Sequence, residues 1–163
     1  MSGPMLFVHL LGAAIWAGGV IVLGLVAFGA RRTLPDAQRV ELFRVIGTGF
    51  LILSGVAAAM LLISGNSMVE DLFGGWDGLG DSHPGRTVIW KSVLFLVVLA
   101  LALIHGLVLG PRVRRARERI EAGPPREGAE ATRRRLAVAS GVTQVLLLLG
   151  TLAILALAAD LGS

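Results

Sequence analysis

Charged side chains divide this chain into four long apolar runs: residues 1–30, 45–69, 92–111 and 136–159. The first contains no acidic or basic group except His9. Each run reaches the roughly 20 residues that a helix needs to cross the hydrocarbon of a bilayer. The pattern predicts an all-α integral membrane protein, a four-transmembrane-helix antiparallel bundle. One domain spans residues 1–163, with membrane spans at about 4–30, 40–64, 86–110 and 134–159. Pro4 suits a first helical turn. Pro35-Asp36 reads as a helix start and Gly65-Asn66 as a stop. Residues 65–85 hold six glycines and one proline and read as an irregular loop. The third helix is expected to stop before Pro111, with Gly123-Pro124-Pro125 breaking the following loop. The arginine-rich pieces on either side of that break can extend the third and fourth helices into water. Gly12, Gly18 and Gly19 in the first helix suit close helix contact in lipid, as do Gly47, Gly55, Ala57 and Ala58 in the second.

Charge sets the orientation. Residues 30–44 carry Arg31, Arg32, Arg39 and Arg44 against Asp36 and Glu41. Residues 111–135 carry nine arginines against Glu118, Glu121, Glu127 and Glu130. The middle loop carries Glu70, Asp71, Asp77 and Asp81, with Arg86 at its end. The positive-inside rule makes the two arginine-rich loops cytoplasmic, with both termini and the acidic loop extracytoplasmic. The net charge of +4 thus reflects topology, and no nucleic-acid partner is expected. The first run lacks a basic leader and exceeds the roughly 7–15 residues of a signal-peptide core, so it reads as a retained span. The absence of cysteine excludes disulfides, thiolate metal sites and covalent c-type haem attachment.

What chemistry the bilayer interior holds then rests on a few polar groups. His9 falls about one turn inside the extracytoplasmic end of the first helix. Lys91, the only lysine beside fourteen arginines, falls at a similar depth in the third. His105 lies 14 residues beyond Lys91, roughly 21 Å deeper. His9 and His105 are therefore not expected to share one metal ion. Lys91 and His105 share nearly one helix face, since 14 residues at 100° leave about 40° between them. Lys91 either snorkels to the outer interface or turns inward as the partner of an anion. His9 either hydrogen-bonds a neighbouring helix or serves as a ligand or proton relay. Met5 precedes His9 by one helical turn, and Met1, Met5, His9, Met60, Met68 and His83 all collect toward one side. Thioether with imidazole is a ligand set that suits Cu(I), whereas methionines also simply fill interfacial gaps. Thr48, Ser54, Ser140, Gln144 and Thr151 read as hydrogen-bond partners between helices. Trp16, Trp76 and Trp90 suit packing or interface anchoring.

Three segments resemble the copper resistance D (CopD) domain. His9-Leu10-Leu11-Gly12-Ala13-Ala14-Ile15-Trp16-Ala17-Gly18-Gly19 is similar to its first helix, where a histidine precedes a tryptophan and paired glycines. Glu41-Leu42-Phe43-Arg44, followed by an apolar helix with Ser54-Gly55, resembles its second helix. Gly85-Arg86-Thr87-Val88-Ile89-Trp90-Lys91 resembles the start of its third. The His-then-Trp and mid-chain Lys pattern also resembles HemJ-type membrane proteins, which are linked to haem. The arginine that those proteins place late in the first helix has no counterpart in residues 20–29.

The resemblance implies a multi-pass protein of a prokaryotic cytoplasmic (inner) membrane that binds or transports copper, with a His/Met site expected at the extracytoplasmic end. Its metal residues are expected to be His9, Met5, Met60 and His83. The alternative is a b-type haem redox protein, with His9 as axial ligand and Lys91 or Arg86 pairing the propionates. His105 is a further cofactor-binding candidate. Expected partners are the lipid bilayer and the metal ion or haem, with a periplasmic copper protein, a larger membrane complex or a second copy of the chain as candidates.

Overall fold

The computed structural model describes residues 3–121, 123 and 128–160. Among these the chain is helical throughout, apart from short connections. Helix α1 covers Gly3–Thr33, α2 Asp36–Phe73, α3 His83–Ile104, α4 Gly110–Glu121 and α5 Ala129–Asp160. A π-helical turn, His105–Leu109, joins α3 to α4 as one continuous rod. Four helical segments are long and apolar enough to cross a membrane, so the protein is a four-helix membrane bundle. Phe7, Leu25, Ile52 and Ile63 point outward, each more than half exposed. In water such a surface would drive aggregation, but hydrocarbon tails match it.

The helices alternate in direction. On the α1–α2 seam, His9 meets Ser64, Gly12 faces Met60 and Leu61, and Gly19 faces Phe50. On the α3–α5 seam, Val98 sits against Gly150. The edge of the Trp16 ring meets Phe95 at 5.5 Å between centroids, which ties α1 to α3. Leu51 of α2 rests on Gly106 in the π turn. The core between these contacts contains Trp16, Val20, Ala57, Ala58, Val98 and Leu147.

Glycine matters at particular seams. A Cβ at Gly12 would lie 3.2 Å from the Ala57 carbonyl and from the Met60 and Leu61 side chains. A Cβ at Gly19 would collide with the Phe50 ring. By contrast, Gly18, Gly47 and Gly55 face open space, so those small residues do not serve helix contact as expected.

Three boundaries differ from the expectation. First, α2 does not stop at Gly65-Asn66; it continues to Phe73. Asn66 uses its side chain on the helix surface, where its amide donates to Glu70 at 3.0 Å and its carbonyl accepts from the Trp76 indole at 2.9 Å. The true C-cap is Gly74, at φ 73°, whose N–H donates to the Glu70 carbonyl. Second, the expected irregular loop shrinks to a built connection. Leu79 is buried within it, and Gly85 sits so tightly under the Leu79 carbonyl that no side chain fits there. Ser82 caps α3 by accepting from the Gly85 N–H at 3.1 Å, so α3 begins at His83 rather than Arg86. Third, Pro111 does not end the third span. Proline lacks an N–H and normally crowds the carbonyl one turn back. The widened turn just before it absorbs this, and Pro111 falls in the first turn of α4. Of the expected break at residues 123–125, Pro124 and Pro125 lie outside the described residues.

Candidate functional site

The α1–α2 seam brings His9 and Ser64 together, although 55 residues separate them in sequence. His9 Nδ1 lies 2.9 Å from Ser64 Oγ. Ser64 is fully buried, and its Oγ lies 2.5 Å from the Met60 carbonyl oxygen. Two oxygens that close require a proton between them, and only the serine hydroxyl can supply it. Ser64 therefore donates to Met60 and accepts from His9. The imidazole then carries its proton on Nδ1 and leaves the Nε2 lone pair uncommitted. This is how a ligating histidine is commonly oriented, by a hydrogen bond from its other ring nitrogen. Serine in a helix often bonds the carbonyl one turn back, so Ser64 keeps the α2 ladder intact while serving His9.

Met60 belongs to the same seam: its carbonyl holds Ser64 and its side chain borders Gly12. Met5 lies one turn before His9 on α1 and is half-buried. Met68 is half-buried one turn beyond Ser64, and Met1 lies outside the described residues. Lys91 is half-buried on α3, close enough for its charge to act on the His9 ring. Trp90, by contrast, is 67% exposed.

The other expected residues lie apart from this cluster. His83 is exposed in the first turn of α3, about 12 Å along the axis from Lys91, and its carbonyl accepts from Thr87 Oγ1 at 3.3 Å. Arg86 is exposed one turn further on. His105 opens the π turn toward the arginine-rich end, and its Nδ1 is buried without a hydrogen-bond partner. Among the described residues, no three His, Asp or Glu side chains converge as a metal cage.

The hydroxyls expected between helices behave otherwise. Thr48 Oγ1 donates to the Arg44 carbonyl of its own helix. Ser54 Oγ and Thr151 Oγ1 are buried without partners, as is the Trp16 indole N–H. Ser64, which among the described residues is the hydroxyl that bridges helices to a histidine, was not among the expected ones. The signal was present. Ser64 lies four residues after Met60, at the depth on α2 that antiparallel pairing assigns to His9.

The sequence pattern of copper resistance protein D matches residues 44–159, most of the chain. The chain belongs to the CopD family. No curated protein and no solved structure matches it. The matched region carries Ser64, Met60 and Lys91, while His9 lies before it. Family membership makes this a copper-resistance-related membrane protein, and the four spans make it multi-pass.

Proposed function

We propose that this CopD-family protein passes copper across a prokaryotic inner membrane, taking up Cu(I) at the His9 end of the bundle. The observation that carries this reading is the Ser64-held imidazole, on the seam to which Met60 also belongs and one turn from Met5. Nitrogen with sulfur is a soft donor set that suits Cu(I) over hard divalent ions. By the charge rule this end is extracytoplasmic, where Glu70, Asp71, Asp77 and Asp81 raise the local cation concentration. His83, exposed at the rim, serves as a first contact for the arriving ion.

Lys91 fits a site of passage rather than storage. A fixed cation near the ligands weakens the hold on copper, and conduction requires a site that releases what it binds. From there the ion would move along the bundle past Ser54 and Thr151, whose buried hydroxyls have no other partner.

The test is competition of Cu(I) between a colorimetric chelator and the detergent-purified protein. Wild type should withdraw the metal from the chelator, and the double variant His9→Ala, Met5→Leu should not. Equal binding by both ends the proposal. A Soret band in the purified protein would instead identify His9 as a haem ligand and Lys91 as the partner of a propionate.

A further inference from the structure

The opposite end of the bundle carries a second feature, independent of copper. Where α4 runs beside α5, a groove of 310 Å³ opens, lined by Val113, Glu130, Arg133, Arg134 and Ala137. Its position along the chain is informative. Ala137 stands at the start of the last apolar run, and Val113 lies two residues past the end of the third. The groove therefore straddles the boundary between hydrocarbon and water, the level that phospholipid phosphates occupy. Its lining combines apolar Val113 and Ala137 with charged Glu130, Arg133 and Arg134.

The charges favour an anion. Two arginines against one glutamate leave one net positive charge on the lining. Glu130 is 81% exposed and turns to water, 3.5 Å from Arg133, which is only 39% exposed. Arg134 enters no ion pair among the described residues. Guanidinium presents paired N–H donors that match phosphate oxygens, and it is more weakly hydrated than an ammonium. Basic pockets between membrane helices at this level are suited to anionic headgroups.

We propose that this groove seats the phosphate of an anionic phospholipid, with Arg133 and Arg134 holding the headgroup and Val113 and Ala137 contacting its glycerol and upper acyl carbons. Such a lipid bridges α4 and α5 and pins the arginine-rich end of the third span to the fourth.

The experiment uses the full chain in neutral detergent, titrated with phosphatidylglycerol or phosphatidylcholine and read by native mass spectrometry and thermal unfolding. Wild type should retain a phosphatidylglycerol adduct and unfold at a higher temperature with that lipid, and phosphatidylcholine should do neither. Arg133→Gln with Arg134→Gln should weaken retention roughly thirtyfold, at about fivefold for each arginine near the surface. Val113→Trp, which fills the groove and keeps both charges, should also lose the adduct. Arg31→Gln with Arg32→Gln removes the same charge from the same end outside the groove and should retain it. Equal loss in the two arginine pairs would reduce the effect to bulk charge and overturn the proposal. Retention by every variant would overturn it as well. Inorganic phosphate that stabilises the protein as much as the lipid does would assign the groove to a soluble anion and overturn the membrane source.

Discussion

The two ends of the bundle each hold a histidine, and they treat it differently. At one end His9 is oriented by a buried serine that is itself fixed to a backbone carbonyl, with a methionine on the same seam and a lysine nearby. At the other, His105 starts a distorted turn with its Nδ1 left unsatisfied, and the charges around that end are arginines at the water boundary. Both imidazoles are partly buried in apolar surroundings. Only one has a hydrogen bond that orients its ring. Depth in the membrane thus does not separate the two histidines; the hydroxyl beside His9 does.

The strongest way to break this comparison is to remove each imidazole in turn. His9→Ala should abolish Cu(I) retention in the chelator competition, whereas His105→Ala should leave it within about twofold. Equal losses would erase the distinction between the ends. Next in size is Ser64→Ala. It keeps the ligand but frees its tautomer, and the loss of such a supporting hydrogen bond typically lowers metal affinity roughly ten- to a hundredfold. An unchanged affinity would mean that Ser64 serves packing alone. Lys91→Met should act in the opposite direction and tighten Cu(I) binding roughly tenfold, since it deletes a repelling charge in a low-dielectric setting. Weaker binding in that variant would show that Lys91 supports the ligand set. A smaller structural effect is expected from Gly12→Ala, whose added methyl meets three α2 atoms at 3.2 Å. It should destabilise the α1–α2 seam by about 1–2 kcal/mol, read as a lower unfolding temperature. Gly18→Ala, facing open space, should not lower it. The smallest effect belongs to the exposed Arg44–Glu41 pair: Glu41→Gln should leave the unfolding temperature unchanged within error.

The architecture was legible because hydrocarbon imposes a coarse rule, namely about 20 uncharged residues per crossing, and this chain obeys it four times. What escaped the sequence were local exceptions to turn chemistry. Gly65-Asn66 reads as a stop by composition, yet α2 continues through it, with the Asn66 side chain bonded to Glu70 one turn on and to Trp76 in the connection that follows. Pro111 reads as a terminator, and only the widened turn before it shows why the rod continues. At the site, His9 and Lys91 stood out because buried polar groups are rare in lipid. Ser64 did not, because serine in a membrane helix usually satisfies itself and leaves no mark. Its role needs the α1–α2 register, which in turn depends on which glycines lie on the contact. Gly12 and Gly18 look alike in sequence and differ only in the direction they face.

The π turn has an effect on the phase of the helix that follows it. One residue beyond the regular repeat rotates everything downstream by about 100° around the rod axis. Val113, downstream of that rotation, lines the same groove as Ala137. Deleting Leu107 would restore an uninterrupted α-helical ladder, bring the ring of Pro111 against the carbonyl one turn back, and swing Val113 away from α5. A five-residue irregularity thus aligns the arginine-bearing extension with its neighbour, much as a coupling sets the relative angle of two shafts.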